Sequence, residues 1–133
     1  MAALAHGSIV VSGMGIVVAA VIWLTQKEKF PFASREARQA TFFQVFAMGL
    51  VILSWIVWSV LYSVALILMI ASMPKDSEPG LLFWLVTMSW ILPMLFMGVL
   101  WIFGIRGAWR SWHGQGYRYP ITGRLIGDEP SSR

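Results

Sequence analysis

The sequence predicts an all-α membrane protein with three transmembrane helices, the N-terminus outside, a long second helix and a short cytoplasmic tail. Three observations carry that prediction. Of the 133 residues, 58% are hydrophobic and 12% charged, a balance too apolar for an ordinary soluble domain. No Asp, Glu, Lys or Arg occurs in residues 1–26, 39–74 or 79–105, and each stretch exceeds the roughly 20 apolar residues that cross a bilayer as a helix. Nine of the ten Lys and Arg residues lie between Lys27 and Arg38 or from Arg106 onward, the asymmetry produced when short cytoplasmic loops hold the positive charge.

The first span is expected over residues 8–25. No Lys or Arg precedes its apolar run, so it reads as a mature span and not as a cleaved signal. Ser8, Ser12, Gly15 and Ala19 recur at spacings of four, three and four, which puts them on one helix face where another backbone can approach closely. After the loop containing Lys27, Lys29 and Pro31, Ser34 is suited to cap a helix that has Glu36 in its first turn. Nothing breaks that helix before Met73-Pro74, so it extends for about 39 residues, nearly 60 Å. Its first turns stand in the cytoplasmic interface and residues 40–72 cross the membrane. MPKDSEPG forms a short exterior turn, and the third span follows over 81–105 with a kink at Pro93. The tail, 106–127, continues helical through Trp112 and breaks at Gly114 and Gly116. Residues 1–127 make one three-helix domain, and 128–133 a flexible end.

The chemistry-bearing residues are few. There is no cysteine, which removes disulfides and thiolates. All six carboxylates lie outside the spans, unlike a proton-coupled transporter, which holds ionisable groups at membrane depth. The two histidines, His6 and His113, fall on opposite sides of the bilayer in this topology and cannot share a haem iron within one chain. No phosphate loop or nucleophile and base spacing occurs, so the chain is expected to be no enzyme, with no cofactor beyond lipid or pigment contact. The net charge of +4 reads as topology and not as nucleic-acid binding. Interfacial belts account for Trp23, Trp84, Trp101, Trp109 and Trp112, whereas Trp55, Trp58 and Trp90 read as ordinary packing or as an aromatic contact surface for a partner helix, lipid or polyene pigment.

Two stretches, "WLTQKEKFPFASREARQATFFQ" and "GIRGAWRSWHGQGYRYPITGRLI", resemble the cytoplasm-facing motifs of a family of small bacterial and archaeal membrane proteins of unassigned function. That family is grouped with the membrane subunit of the chloroplast inner-envelope import translocon. Lys27, Lys29, Pro31, Phe32, Arg35, Glu36, Ala37, Phe43 and Gln44 carry the first match. Gly116, Tyr117, Arg118, Tyr119, Pro120, Arg124 and Ile126 carry the second, and "ALAH" at Ala3 to His6 resembles the family's opening. Ser34 stands where relatives have a histidine, and Arg38 where they have an apolar residue. Both motifs face one side, so Arg35, Glu36, Tyr117, Arg118, Tyr119 and Pro120 are expected to form a cytoplasmic clamp in which Glu36 pairs with an arginine such as Arg118.

The functional expectation is a non-enzymatic accessory or structural subunit in a larger assembly of the prokaryotic plasma membrane, contacting lipid and other subunits or copies of itself. One alternative is an oligomeric channel or translocation component, with Gln44 and Ser59 among its few polar groups. A second is an anchor subunit contributing to a haem, quinone or pigment site.

Overall fold

The computed structural model describes residues 1–11, 13–74 and 77–125, with the last two as backbone only. Ser12, Lys75, Asp76, Ile126 and the expected flexible end at 128–133 lie outside the described residues, as does the Arg124 side chain. Within them there are helices and no strand: α1 (Ala2–Gly7), a 3-10 turn (Ser8–Val11), α2 (Gly13–Gln26), α3 (Pro31–Ser72), α4 (Leu81–Met88), α5 (Ile91–Trp112) and α6 (Thr122–Leu125). Two stretches are long and apolar enough to cross a membrane, Pro31–Ser72 and Leu81–Trp112.

The first apolar segment is not a continuous span. Ala5 of α1 and Ala19 of α2 share one buried cluster with Ala37 and Ala40 of α3. On a straight helix, fourteen residues would separate Ala5 from Ala19 by about 21 Å, so the chain folds back on itself between α1 and α2. α2 itself has 14 residues, again about 21 Å, against a hydrocarbon thickness of about 30 Å. The fold-back is fastened by Ser8, whose single hydroxyl proton is shared between the carbonyls of Ala5 (2.8 Å) and Gly15 (3.0 Å). Only a glycine fits at position 15, because a Cβ there would run into the Ser8 carbonyl. Residues 8–25 thus do not form the one continuous helix expected, and α1 packs against the tail, from which the expected topology separates the N-terminus.

α3 begins at Pro31, where the fixed φ and missing N–H of proline suit a first helical position. Ser34 is therefore inside the helix and not its cap; its hydroxyl donates to the Trp23 carbonyl at 3.3 Å. At about 63 Å for 42 residues, α3 is the long helix of the chain. The break between α4 and α5 falls at Ser89-Trp90, where the Ser89 carbonyl accepts from Leu92 N–H at 3.0 Å. Pro93 has no N–H to offer that carbonyl, so the helix tightens locally to an i to i+3 bond.

The chain forms two compact units, one of residues 1–49 and 99–133 and one of residues 50–98. The first contains nearly all of the buried residues, including Ala5, His6, Glu36, Gln44 and Tyr119. In the second, Trp58 Nε1 donates to Ser89 Oγ at 3.1 Å, and Ser89 Oγ donates to the Val86 carbonyl at 2.6 Å. The most apolar part of α3 has no buried residue, which matches a surface solvated by lipid or by neighbouring helices.

Candidate functional site

Five buried residues from four parts of the first unit converge. His6 comes from α1, Glu36 from the second turn of α3, Ser111 from the end of α5, and Tyr117 and Tyr119 from the tail. The tail can turn back because Gly114 adopts φ +73°, a left-handed conformation that costs glycine little. His6 Nδ1 meets the Tyr119 hydroxyl at 2.8 Å, and His6 Nε2 meets Glu36 Oε2 at 3.1 Å. The same carboxylate oxygen accepts from the Tyr117 backbone N–H at 3.0 Å and from Ser111 Oγ at 3.3 Å. His6 is 0% exposed, and Glu36 and Tyr119 are 1% exposed.

Packing holds the geometry. The Tyr119 ring stacks on Phe43 with centroids 3.8 Å apart and planes within 10°, and the edge of Tyr117 meets Tyr119 at 4.8 Å. Gly107 of α5 makes room for His6: a Cβ there would lie 2.9 Å from His6 Nδ1 and 3.0 Å from the Tyr117 ring. A second buried link lies deeper, where Gln44 Nε2 donates to the Ala5 carbonyl (2.9 Å) and to Ser8 Oγ (3.1 Å).

Burial, the neighbouring Tyr117 and the Glu36 carboxylate hold the Tyr119 hydroxyl well above its ordinary pKa of 10.0. Its hydroxyl therefore stays protonated beside His6 Nδ1, while His6 Nε2 faces the Glu36 carboxylate. Tyr117 is also raised, by burial, with Arg106 and Arg110 pulling the other way. The result is a sealed chain from Tyr119 through His6 to Glu36 in which each polar atom named has a partner. Both imidazole nitrogens are occupied, so His6 presents no lone pair to a haem iron. Among the described residues no group of three His, Cys, Asp or Glu side chains comes together in a metal-binding arrangement.

Of the six residues expected to form a clamp, Glu36, Tyr117 and Tyr119 meet in this network. Arg35 lies at its edge, with Nη2 3.9 Å from Glu36 Oε1. The expected ion pair between Glu36 and Arg118 is absent: Arg118 is exposed and its Nε donates to the Gly123 carbonyl at 2.8 Å. Pro120 is exposed beside Tyr119. The carboxylate takes instead His6 and Ser111, which lie outside the expected clamp, and the backbone N–H of Tyr117, which lies within it. The expected topology places His6 on the far side; the signal for its true place is a histidine in an apolar N-terminal segment of a chain with few carboxylates.

The small residues Ser8, Gly15 and Ala19 are buried, and at least Ser8 and Gly15 face each other within the hairpin. Trp55 and Trp58 pack edge to face at 5.4 Å, and Trp58 stacks on Tyr62 at 4.9 Å. Trp90 is 45% exposed. Gln44, named for a pore, is buried in the hairpin lock, whereas Ser59 is exposed, its carbonyl accepting from Ser63.

The family model described as the magnetosome magnetite crystal formation protein family, MamF/MmsF, matches residues 1–126. The chain belongs to that family. This overturns the resemblance to the import-translocon family, for which nothing else speaks, and the expectation of a translocation component loses the basis it had there. No curated protein and no solved structure matches the chain.

Proposed function

We propose that this member of a magnetosome magnetite crystal formation family is a non-enzymatic, multi-pass structural subunit of the magnetosome membrane. The observation that carries the reading is the sealed network: His6, Glu36, Ser111 and Tyr119 are buried and satisfy one another. A catalytic base needs access to a substrate proton, and these groups instead tie α1, α3, α5 and the tail together. The outward faces of the long helices are apolar and exposed, as a subunit surrounded by lipid and neighbouring chains requires. In this reading α1 and the tail share the cytoplasmic face.

The test is complementation of a deletion strain, with magnetite crystal size read by electron microscopy and protein level read in the purified magnetosome membrane. Under the structural reading, His6→Gln and Tyr119→Phe impair crystals only in proportion to lost protein. Normal protein level with crystals as defective as in the deletion strain would mean that the network does chemistry, and the reading would be wrong.

A further inference from the structure

Arg106 is the first charged residue after the charge-free stretch 79–105, and Arg110 follows one turn later on α5. At 3.6 residues per turn the two stand about 40° apart on one face of the helix. Both are exposed, whereas Gly104, Gly107 and Ser111 of the same helix are buried. The tail returns to α5 beside this face: a Cβ at Gly107 would lie 3.0 Å from the Tyr117 ring, which seats that ring one residue from Arg106 and three from Arg110. We propose that Arg106, Arg110 and the Tyr117 hydroxyl form a binding site for the phosphate of an anionic phospholipid.

The two ends of Tyr117 have separate tasks. Its backbone N–H donates to Glu36 Oε2 at 3.0 Å, and its ring meets His6 and Tyr119 edge to face. Neither contact uses the hydroxyl. Tyr117 is only 9% exposed, and a tyrosine that buried ordinarily finds its O–H a partner. Among the described residues this hydroxyl has no hydrogen-bond partner, and neither Arg106 nor Arg110 has an ion pair. Glu36 does not supply one, because three donors hold its Oε2 and the cation at its Oε1 is Arg35. Burial raises the Tyr117 pKa and both arginines act in the opposite sense, so the two cations are felt at the phenol while it remains an O–H donor at neutral pH. The cluster therefore offers donors and positive charge, drawn from α5 and from the tail.

The chemistry and the position narrow the ligand. A guanidinium matches two oxygens of a phosphate as a fork matches two prongs, and a hydroxyl can take a third. The site begins where the charge-free run of α5 ends, the level at which phospholipid phosphates lie. Trp109 and Trp112, 70% and 78% exposed, stand at the same level, as indoles do among headgroups. A choline headgroup brings a cation of its own toward the arginines, so a headgroup with net negative charge is preferred. Such a lipid would join α5 to the tail through Tyr117, the residue whose N–H already serves the buried network, and would stabilise the folded chain by binding it.

The proposal rests on the membrane reading above. The experiment uses the full chain in mild detergent, with phosphatidylglycerol, phosphatidylcholine and inorganic phosphate as probes and native mass spectrometry as readout. Wild-type protein is expected to retain phosphatidylglycerol over phosphatidylcholine. At about fivefold per cationic side chain, Arg106→Gln and Arg110→Gln should each weaken retention about fivefold, and together about 25-fold. Tyr117→Phe keeps the ring on Gly107 and the backbone N–H on Glu36. It should weaken retention about fivefold and leave the unfolding midpoint in lipid-free detergent nearly unchanged, which separates binding from packing. Lys27 and Lys29 are exposed in a turn; Lys27→Gln with Lys29→Gln removes as much charge elsewhere and should leave retention within about twofold. Equal loss in that control, or no loss in the arginine variants, overturns the site in favour of bulk attraction. Full retention by Tyr117→Phe overturns the three-donor site. Inorganic phosphate binding as tightly as the lipid overturns the lipid assignment in favour of the free anion. Flotation with phosphatidylcholine vesicles is read separately: protein that floats but ignores phosphatidylglycerol sinks this proposal alone, and protein that does not float sinks the membrane reading with it.

Discussion

Tyr119 shows how much a single hydroxyl can do in a buried site. It is the hydrogen-bond partner of His6 Nδ1, so Tyr119→Phe leaves Nδ1 buried without a partner and is expected to cost about 1–3 kcal/mol. Tyr117→Phe should have a much smaller effect, because Tyr117 serves Glu36 through its backbone N–H. Denaturant unfolding in detergent distinguishes the two, and equal effects would refute the assignment. The pH dependence follows from the same group. The folded state binds the Tyr119 proton more tightly than an ordinary tyrosine with pKa 10.0. Its contribution is therefore complete below pH 10.0 and is lost as pH rises from there through the folded value. Wild-type stability should fall more steeply in that alkaline window than Tyr119→Phe does. Part of the site is legible at this scale: Glu36, Tyr117 and Tyr119 stand in two basic motifs flanking the apolar blocks. Arg118 misleads because an exposed arginine can find a carbonyl on its own loop, whereas a buried carboxylate has to find donors among its buried neighbours.

At the scale of elements, α3 and the stretch from Leu81 to Trp112 are legible because long charge-free runs need no tertiary information. The hairpin of α1 and α2 is not. Hydropathy sums the apolar residues of 1–26 but does not register that His6 and Ser8 require buried partners, which Glu36 and Gln44 supply from a different helix. Nor does it register the steric meaning of a glycine. Gly15→Ala sets a Cβ against the Ser8 carbonyl, backbone against backbone, and should destabilise by about 1–3 kcal/mol. Gly13→Ala meets open space and should be neutral or stabilising by up to about 1 kcal/mol. Thermal unfolding of the two variants compares them directly; a straight span would tolerate both alike.

For the whole molecule, a member of the magnetosome magnetite crystal formation family has its N-terminal helix and tail locked together beside the start of α3. In the proposed reading that lock puts both ends of the chain on one membrane face. The natural chain has no cysteine, so single cysteines can report this without background. Leu4 is 66% exposed and Gln115 is exposed, which makes Leu4→Cys and Gln115→Cys suitable probes. The decisive measurement is labelling of each variant with a membrane-impermeant maleimide in intact isolated magnetosomes, before and after detergent. Both positions are expected to label from the outer face of intact vesicles to the same extent. Labelling of one position only after detergent, while the other reacts at once, would contradict it.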